Sequence, residues 1–346
     1  MARAPSVKSV KPLPAVVLVA GAVGGIIAGR LGRRRPYVLR DRVVLVTGGS
    51  RGLGLALARE FGRRGARVAI CARDVSTLER ARHDLADRGI HVVALAEDVG
   101  DPARVDAAVA GVRERLGPVD VLVNNAGVIQ VGPMEMMTRE DYEEAMRTNF
   151  WAAVYTTSAV LRDMRATGRG RIVNICSIGG KVAVPHLLPY TASKFALAGF
   201  SEGLRAELAK AGIVVTTIYP GLMRSGSPRH ARFKGRHRAE YAWFNISDSL
   251  PGLAMNVDRA ARRVVDACVR GDRHVVLSVP AKLVVALHAL FPGITGDLLA
   301  IANRLLPEPG GIGREQAAGH ESESGLSPSW LTVFGERAAR KYNQTA

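Results

Sequence analysis

A run of four aliphatic residues, Val43-Val44-Leu45-Val46, leads directly into Thr47-Gly48-Gly49-Ser50-Arg51-Gly52-Leu53-Gly54 and then into a helical apolar pattern. Glycines at a strand-to-helix turn permit tight backbone geometry and the close approach of a pyrophosphate, whose charge the helix N-terminus then meets. That strand–turn–helix setting distinguishes the segment from an ordinary glycine-rich loop. The same organisation continues along the chain. Short runs rich in branched residues at 43–47, 67–72, 91–95, 119–124, 171–176, 214–219 and 274–277 alternate with helical patterns, each run closed by polar or glycine punctuation. Strands buried on both faces and joined by right-handed crossovers give a doubly wound, mostly parallel α/β sheet of seven strands between two helical layers. Ligands of such sheets bind beyond the carboxyl ends of the strands. Gly48, Asn124, Ser177 and Pro220 all fall at such ends, so one site is expected there.

The chemistry is carried by Tyr190 and Lys194, in Tyr190-Thr191-Ala192-Ser193-Lys194. Residues four apart on a helix are neighbours, so an ammonium lies beside a phenol. A free tyrosine titrates near pH 10, and an adjacent positive charge lowers that value towards the range where a general acid or base is efficient. Ser177, thirteen residues upstream, is placed to hold the reacting oxygen. Tyr-x-x-x-Lys spacing recurs in many amphipathic helices; the nucleotide-type loop is what gives it weight here.

Together these residues resemble the short-chain dehydrogenase/reductase family over roughly Asp41 to Leu277. The resemblance implies a Rossmann-type, three-layer αβα fold and hydride transfer between a nicotinamide cofactor and a carbonyl or alcohol. Gly48, Ser50, Arg51, Gly52, Leu53 and Gly54 are similar to the family's Gly-x-x-x-Gly-x-Gly cofactor loop. Asp98 and Val99 resemble its adenine-contacting pair, and Asn125, Ala126 and Gly127, after Asn124, the segment that supports the cofactor. Pro220 and Gly221 resemble the turn beside the nicotinamide, and Asn149, Ser177, Tyr190 and Lys194 the catalytic tetrad.

By that resemblance Tyr190 exchanges the proton and Ser177 donates to the developing oxyanion, which is stabilised more in a dry, preorganised site than in water. Lys194 also grips the nicotinamide ribose, Asn149 holds a water, and the enzyme is a homodimer or tetramer. No metal is implied. The same tetrad would serve an isomerase or epimerase that retains its nucleotide. A non-catalytic scaffold would be expected to lack a tetrad member, and none is missing.

Cofactor choice is read from charge. The second strand ends Ile70-Cys71-Ala72-Arg73, and Arg73 lies 19 residues after Gly54. An arginine there, helped by Arg51, can pair with a 2′-phosphate, where an acid would accept from the ribose hydroxyls. NADP(H) is therefore favoured over NAD(H). Two readings compete with it: both arginines are solvated surface charges, or Asp74, one place later, meets the ribose.

The catalytic unit occupies residues 41–278, with additions on either side. Residues 1–40 form a basic segment in which positions 12–29 carry no charge. A helix of that length spans about 27 Å, enough for a hydrocarbon core, so the run is a candidate transmembrane helix. Arg30, Arg33, Arg34, Arg35 and Arg40 outnumber Arg3, Lys8 and Lys11, which would place the enzyme in the cytoplasm, attached to a membrane. A soluble or peripheral arm is the alternative. Residues 279–307 read as an apolar helical extension and 308–346 as a flexible polar tail, rich in glycine, serine and glutamate up to Ser329.

The net charge of +17 concentrates in the first segment and in a basic run between Arg224 and Arg238, suited to anionic headgroups, an anionic substrate or bulk solvent. No nucleic-acid recognition module accompanies that charge, so nucleic acid is not expected as a partner. Val182, Val184, Leu187 and Leu188, with Tyr241, Trp243 and Phe244, point to a lipophilic substrate of lipid, retinoid, isoprenoid or steroid type. His186 reads as an exposed loop histidine, with contact to the substrate as the alternative. Cys71, Cys176 and Cys268 have no metal-type spacing and read as packing residues.

Overall fold

The aliphatic runs form strands where the pattern places them. In the computed structural model, which describes residues 36–345, β1 is Val43–Thr47, β2 Arg67–Ala72, β3 Val92–Ala96, β4 Val121–Asn124, β5 Gly170–Ile175, β6 Ile213–Tyr219 and β7 His274–Val276. They make one seven-stranded sheet in the order β7-β6-β5-β4-β1-β2-β3. Every pairing in it is parallel, with Leu45 beside Ala69 on one side and Leu122 on the other. The strand order reverses beside β1 and β4, so their carboxyl ends open a crevice.

Helices cover both faces. On one lie α1 (Gly52–Arg63), α2 (Val75–Asp87) and α8 (Val257–Arg270); on the other lie α3 (Pro102–Leu116) and α5 (Ala152–Thr167). Side chains of a strand alternate between faces, and β1 divides accordingly. Val44 and Val46 join the core beneath α1 and α8, whereas Val43 and Leu45 join the core beneath α3 and α5. All four are inaccessible to solvent, as is Phe61 of α1. Truncating Phe61 to alanine would cost about 3–5 kcal/mol.

Three further helices shape the site edge: α4 (Arg139–Met146), α6 (Leu188–Leu208) and α7 (His237–Ser249). The apolar extension forms a helical hairpin, α9 (Val279–Leu290) and α10 (Pro292–Asn303), that leaves Leu283, Leu290, Phe291, Ile294, Leu298 and Ile301 exposed.

Residues 308–345, expected as a flexible tail, are folded onto the rest of the chain. Ala317–Ala318 pairs antiparallel with Arg232–Phe233, which pairs parallel with Gln130–Val131. α11 (Val333–Lys341) follows, packing Ala339 against Gly226, and Tyr342 is buried behind it. The cause is long-range pairing that composition does not report. Glu323 and Glu336 both meet Arg229, at 2.9 and 3.4 Å.

These acids also change the reading of the basic run. Arg232 meets Glu144 at 3.4 Å, and Lys234 is buried against Asp141 at 2.5 Å, so much of the run is neutralised inside the fold. The candidate transmembrane segment 12–29 lies outside the described residues. Among the described residues, no helix is long and apolar enough to cross a membrane.

Candidate active site

The crevice beyond β1 and β4 is a cleft of about 640 Å³. Its wall includes Gly48, Ser50, Arg51, Gly52, Leu53 and Gly54, then Arg73, Asp98 and Val99, then Asn125, Ala126 and Gly127, and finally Tyr190 and Lys194. Residues scattered from position 48 to position 194 thus converge. Asn149, Ser177, Pro220 and Gly221 stand behind that wall, with Asn149 against Gly127 and the amide that follows Ser177 donating to Pro220 O at 2.8 Å.

The glycine loop is held from below. Gly48 N donates to Cys71 O at 2.8 Å, and Asn125 Nδ2 donates to the carbonyls of Thr47 and Gly48 at 3.0 and 3.1 Å. Thr47 Oγ1 accepts from the amides of Asn125 and Ala126. Gly54 must lack a side chain, because a Cβ there would lie 2.0 Å from Gly48 O. α1 begins at Gly52 with no side-chain cap and no acidic residue in its first turn. The Gly52 amide is taken by Tyr342 O at 2.9 Å, but no side chain caps the turn; a helix N-terminus free of side-chain caps is a ready anion site, so the residues present fit the pyrophosphate of a dinucleotide.

At the far end of β2, burial lowers the Arg51 guanidinium below its ordinary range, and the nearby charge of Arg73 adds to the effect. Arg51 and Arg73 thus stand near each other on the cleft wall, with Asp74 near Arg51 and Asp98 near Arg73 offsetting part of their charge. Asp74 is engaged elsewhere: its Oδ1 accepts from Thr77 N at 2.7 Å and from Ser76 Oγ at 2.8 Å, capping α2. Those bonds, led by the Thr77 amide, hold its carboxyl down at about 2. Asp98 accepts from Gly100 N at 2.9 Å and from Arg147 at 3.0 Å.

At the other end Asn149 and Tyr190 are joined through Ser193, with Lys194 over the Tyr190 ring. Asn149 sits in a turn widened to π geometry, Arg147–Trp151, a feature frequent at functional sites. Its amide accepts from Val128 N at 2.9 Å, donates to Val128 O at 3.0 Å and donates to Ser193 Oγ at 2.9 Å. Ser193 donates its proton to Tyr190 O at 2.7 Å, fixing the first turn of α6. Lys194 Nζ donates to Ile175 O at 3.1 Å and lies 5.6 Å from the centre of the Tyr190 ring. Ser177 Oγ accepts from Gly179 N at 3.0 Å at the end of β5.

Electrostatics here differ from the sequence expectation. Burial pushes the Tyr190 phenol above its ordinary value, with hydrogen bonding from Ser177 working the other way, and burial lowers the Lys194 ammonium. Desolvation outweighs the mutual attraction, because Lys194 is turned to the Ile175 carbonyl rather than to the phenol oxygen. Tyr190 is therefore a protonated donor at neutral pH in the chain alone.

A second cavity, of about 560 Å³, reaches Leu188 at the start of α6, the helix that carries Tyr190 and Lys194. Its lining includes Met134, Val184, Pro185 and Leu188, Leu299 and Ala300 of the helical hairpin, and Leu306 just after it. His186 lines it too, and is not an exposed loop histidine. It is buried with φ 62°, and its Nδ1 is 2.7 Å from Glu240 Oε1, while Trp243 Nε1 donates to Glu240 Oε2 at 2.6 Å. Thr77, Thr148, Ser225, His230 and Gln344 also line the main cleft and were missed in sequence. None belongs to a spacing motif; only the neighbourhood of Ser225 to Pro220-Gly221 offered a signal. Among the described residues no cluster of histidine, cysteine and acidic side chains is arranged to hold a metal ion.

A nucleotide cleft meeting a Ser–Tyr–Lys group at the carboxyl edge of a parallel sheet defines an NAD(P)-dependent oxidoreductase. The family model for short chain dehydrogenases matches residues 42–233, and the chain belongs to the short-chain dehydrogenase/reductase family. It is 32% identical over 275 residues to dehydrogenase/reductase SDR family member 7B of Bos taurus, an alignment covering 78% of this chain and 83% of the relative. Among solved structures it resembles a gluconate 5-dehydrogenase from Burkholderia cenocepacia in complex with NADP and tartrate, with TM-score 0.63 and 27% identity over 71% of this chain and 98% of that one. An actinorhodin polyketide ketoreductase with NADPH matches with TM-score 0.61 and 33% identity, over 68% and 95%.

Proposed function

We propose that the chain is an NADP-dependent oxidoreductase that interconverts a carbonyl and an alcohol on a lipophilic substrate at a membrane surface, with its catalytic domain facing the cytoplasm. The observation that carries this reading is the second cavity, whose mostly apolar lining, edged by Glu135, Asn303, Arg304 and Glu308, includes Leu299 and Ala300 of the exposed apolar hairpin α9–α10. An apolar wall continuous with an apolar surface gives a hydrocarbon chain a path that avoids water. The basic residues that follow the uncharged run at 12–29 support cytoplasmic placement. The Arg51–Arg73 pair supports the 2′-phosphate, since a half-buried and an exposed guanidinium side by side gain from an anion set between them. Both similar structures described above carry NADP or NADPH.

Tyr190 is the proton donor to the substrate oxygen, and Ser177 holds that oxygen. Lys194 and Asn149 fix the polar side of the site, Asn149 through Ser193 and the Tyr190 carbonyl. A bound nicotinamide supplies or accepts the hydride. Gly48, Ser50, Gly52 and Leu53 would hold its pyrophosphate, with Arg51 and Arg73 at the 2′-phosphate.

The test is NADPH consumption by full-length protein in mixed micelles, over a ladder of methyl ketones of increasing chain length beside a keto-gluconate. Each methylene entering an apolar cavity contributes about 0.8 kcal/mol, so kcat/KM is expected to climb up to about fourfold per carbon. Preference for the keto-gluconate would overturn the lipophilic reading and leave the oxidoreductase class standing.

A further inference from the structure

The end of the chain crosses the mouth of the nucleotide cleft. Tyr342 O accepts from the Gly52 amide at 2.9 Å. Asn343, in the left-handed region with φ 56°, donates its Nδ2 to the carbonyls of Ser50 at 2.9 Å and Thr77 at 2.8 Å, and its Oδ1 accepts from Arg80 Nε at 2.9 Å. On the opposite lip, Gln344 Nε2 donates to Ser225 O at 3.2 Å, and Gln344 O is 3.1 Å from His230 Nε2. Three consecutive residues thus tie the glycine loop and the start of α2 to the segment after β6.

Gln344 is also part of the cleft wall, and a Cβ on Gly52 would lie 2.7 Å from its Nε2. It therefore stands over the glycine where a pyrophosphate needs close approach. The residue is nine-tenths buried, yet its Oε1 has no hydrogen-bond partner. An orphaned buried carbonyl keeps its desolvation penalty unless something supplies a donor. A dinucleotide offers ribose hydroxyls as donors and phosphate oxygens as acceptors, and a carboxamide can serve both.

We propose that residues 342–344 are a strap belonging to the dinucleotide site, in which Gln344 binds the cofactor and Asn343 positions it. This rests on the reading that the cleft takes a nicotinamide dinucleotide. It adds an element from outside the family-matched region 42–233. The strap binds both lips, so a bound cofactor would be enclosed and would leave only when it opens.

The experiment is a fluorescence titration of NADPH against the full chain, Gln344→Glu, Gln344→Lys and a chain ending at Lys341, with adenosine 2′-phosphate as control ligand and a thermal melt of each variant. Truncation is expected to weaken NADPH at least about tenfold and to speed its dissociation, leaving adenosine 2′-phosphate within about twofold. Glutamate, placed beside phosphate, is expected to weaken NADPH by about tenfold or more, whereas lysine retains or improves it. Equal losses for both charges, parallel loss of the control ligand, or unchanged NADPH affinity in all variants would overturn the strap while leaving the cleft assignment intact. Tighter NADPH binding after truncation would also overturn it, since the arm would then be a plug. A wild-type chain that binds neither NADPH nor NADH would overturn the cleft assignment and the strap together.

Discussion

Lys234 Nζ lies 2.5 Å from Asp141 Oδ2, and both side chains are closed to solvent. The carboxylate is further tied to Thr138 N and Gln316 Nε2, each at 2.7 Å. One carboxylate therefore joins the start of α4, the segment after β6 and the C-terminal stretch. Removing one partner of a buried pair strands the other charge, at a cost of about 3–5 kcal/mol. Lys234→Met is expected to lower unfolding free energy by that amount in urea titration, and Lys234→Met with Asp141→Leu to recover part of it. A single variant as stable as wild type would refute a stabilising role for the pair.

Asp248 makes stability depend on pH in the less usual direction. Burial raises its carboxyl from 3.8 to about 7, partly opposed by hydrogen bonds from Met223 N and Ser227 Oγ. The folded chain then holds a proton that the unfolded chain has lost, so this contribution is full below pH 3.8 and disappears as pH rises through about 7. Asp248→Asn removes the ionisation and should stabilise the protein at pH 8 by a few kcal/mol, because each tenfold change in proton affinity between the two states is worth about 1.4 kcal/mol. Melting temperatures across pH 4 to 8 check this. A gap between variant and wild type that narrows as pH rises would refute it.

The doubly wound core was legible because parallel strands buried on both faces must be aliphatic throughout; Val43 to Val46 could be little else. The glycine loop was legible because Gly54 has no room for a Cβ. The closure of the site was not. Arg229 and Glu323, Arg232 and Gln316, and Ser50 and Asn343 pair across 80 to almost 300 residues, and a polar, glycine-rich composition is equally compatible with a solvated linker. His186 shows the same limit, since its burial depends on Glu240, 54 residues later. The Tyr190–Lys194 pair was legible as a spacing, and Asn149 and Ser177 through the family resemblance, but the protonation of Tyr190 and Lys194 was not, because it follows from desolvation that only the packed site creates.

The proposed preference for NADP rests on Arg51, Arg73 and the engagement of Asp74. If the arginines bind a 2′-phosphate, Arg73→Ala should weaken NADPH about 10- to 100-fold, from the roughly 1.5–3 kcal/mol of a charged hydrogen bond, and leave NADH within about twofold. Asp74→Ala should instead cost about 1 kcal/mol of stability, as loss of a helix cap, with little change for NADH. Parallel titrations of both nucleotides decide the matter. Equal loss of the two after Arg73→Ala would assign the arginine to the adenine or to the surface.

Tyr190→Phe isolates the proton. Phenylalanine keeps the ring beneath Lys194 Nζ and the main-chain carbonyl that receives Ser193, so the α6 turn and the Asn149 network persist. Only the phenol oxygen and its bond with Ser177 are lost. A positioned general acid contributes about 10²–10⁴ in rate, and burial keeps this phenol protonated at neutral pH, the form that carbonyl reduction requires. The variant is expected to lose at least about a hundredfold in kcat for reduction while its NADPH dissociation constant stays within about twofold. Ser177→Ala should lose less, because it removes a donor to the developing oxyanion and leaves the proton source in place. Turnover of Tyr190→Phe near the wild-type level would move the acid elsewhere, and His186, buried beside the apolar cavity, would be the next residue to replace.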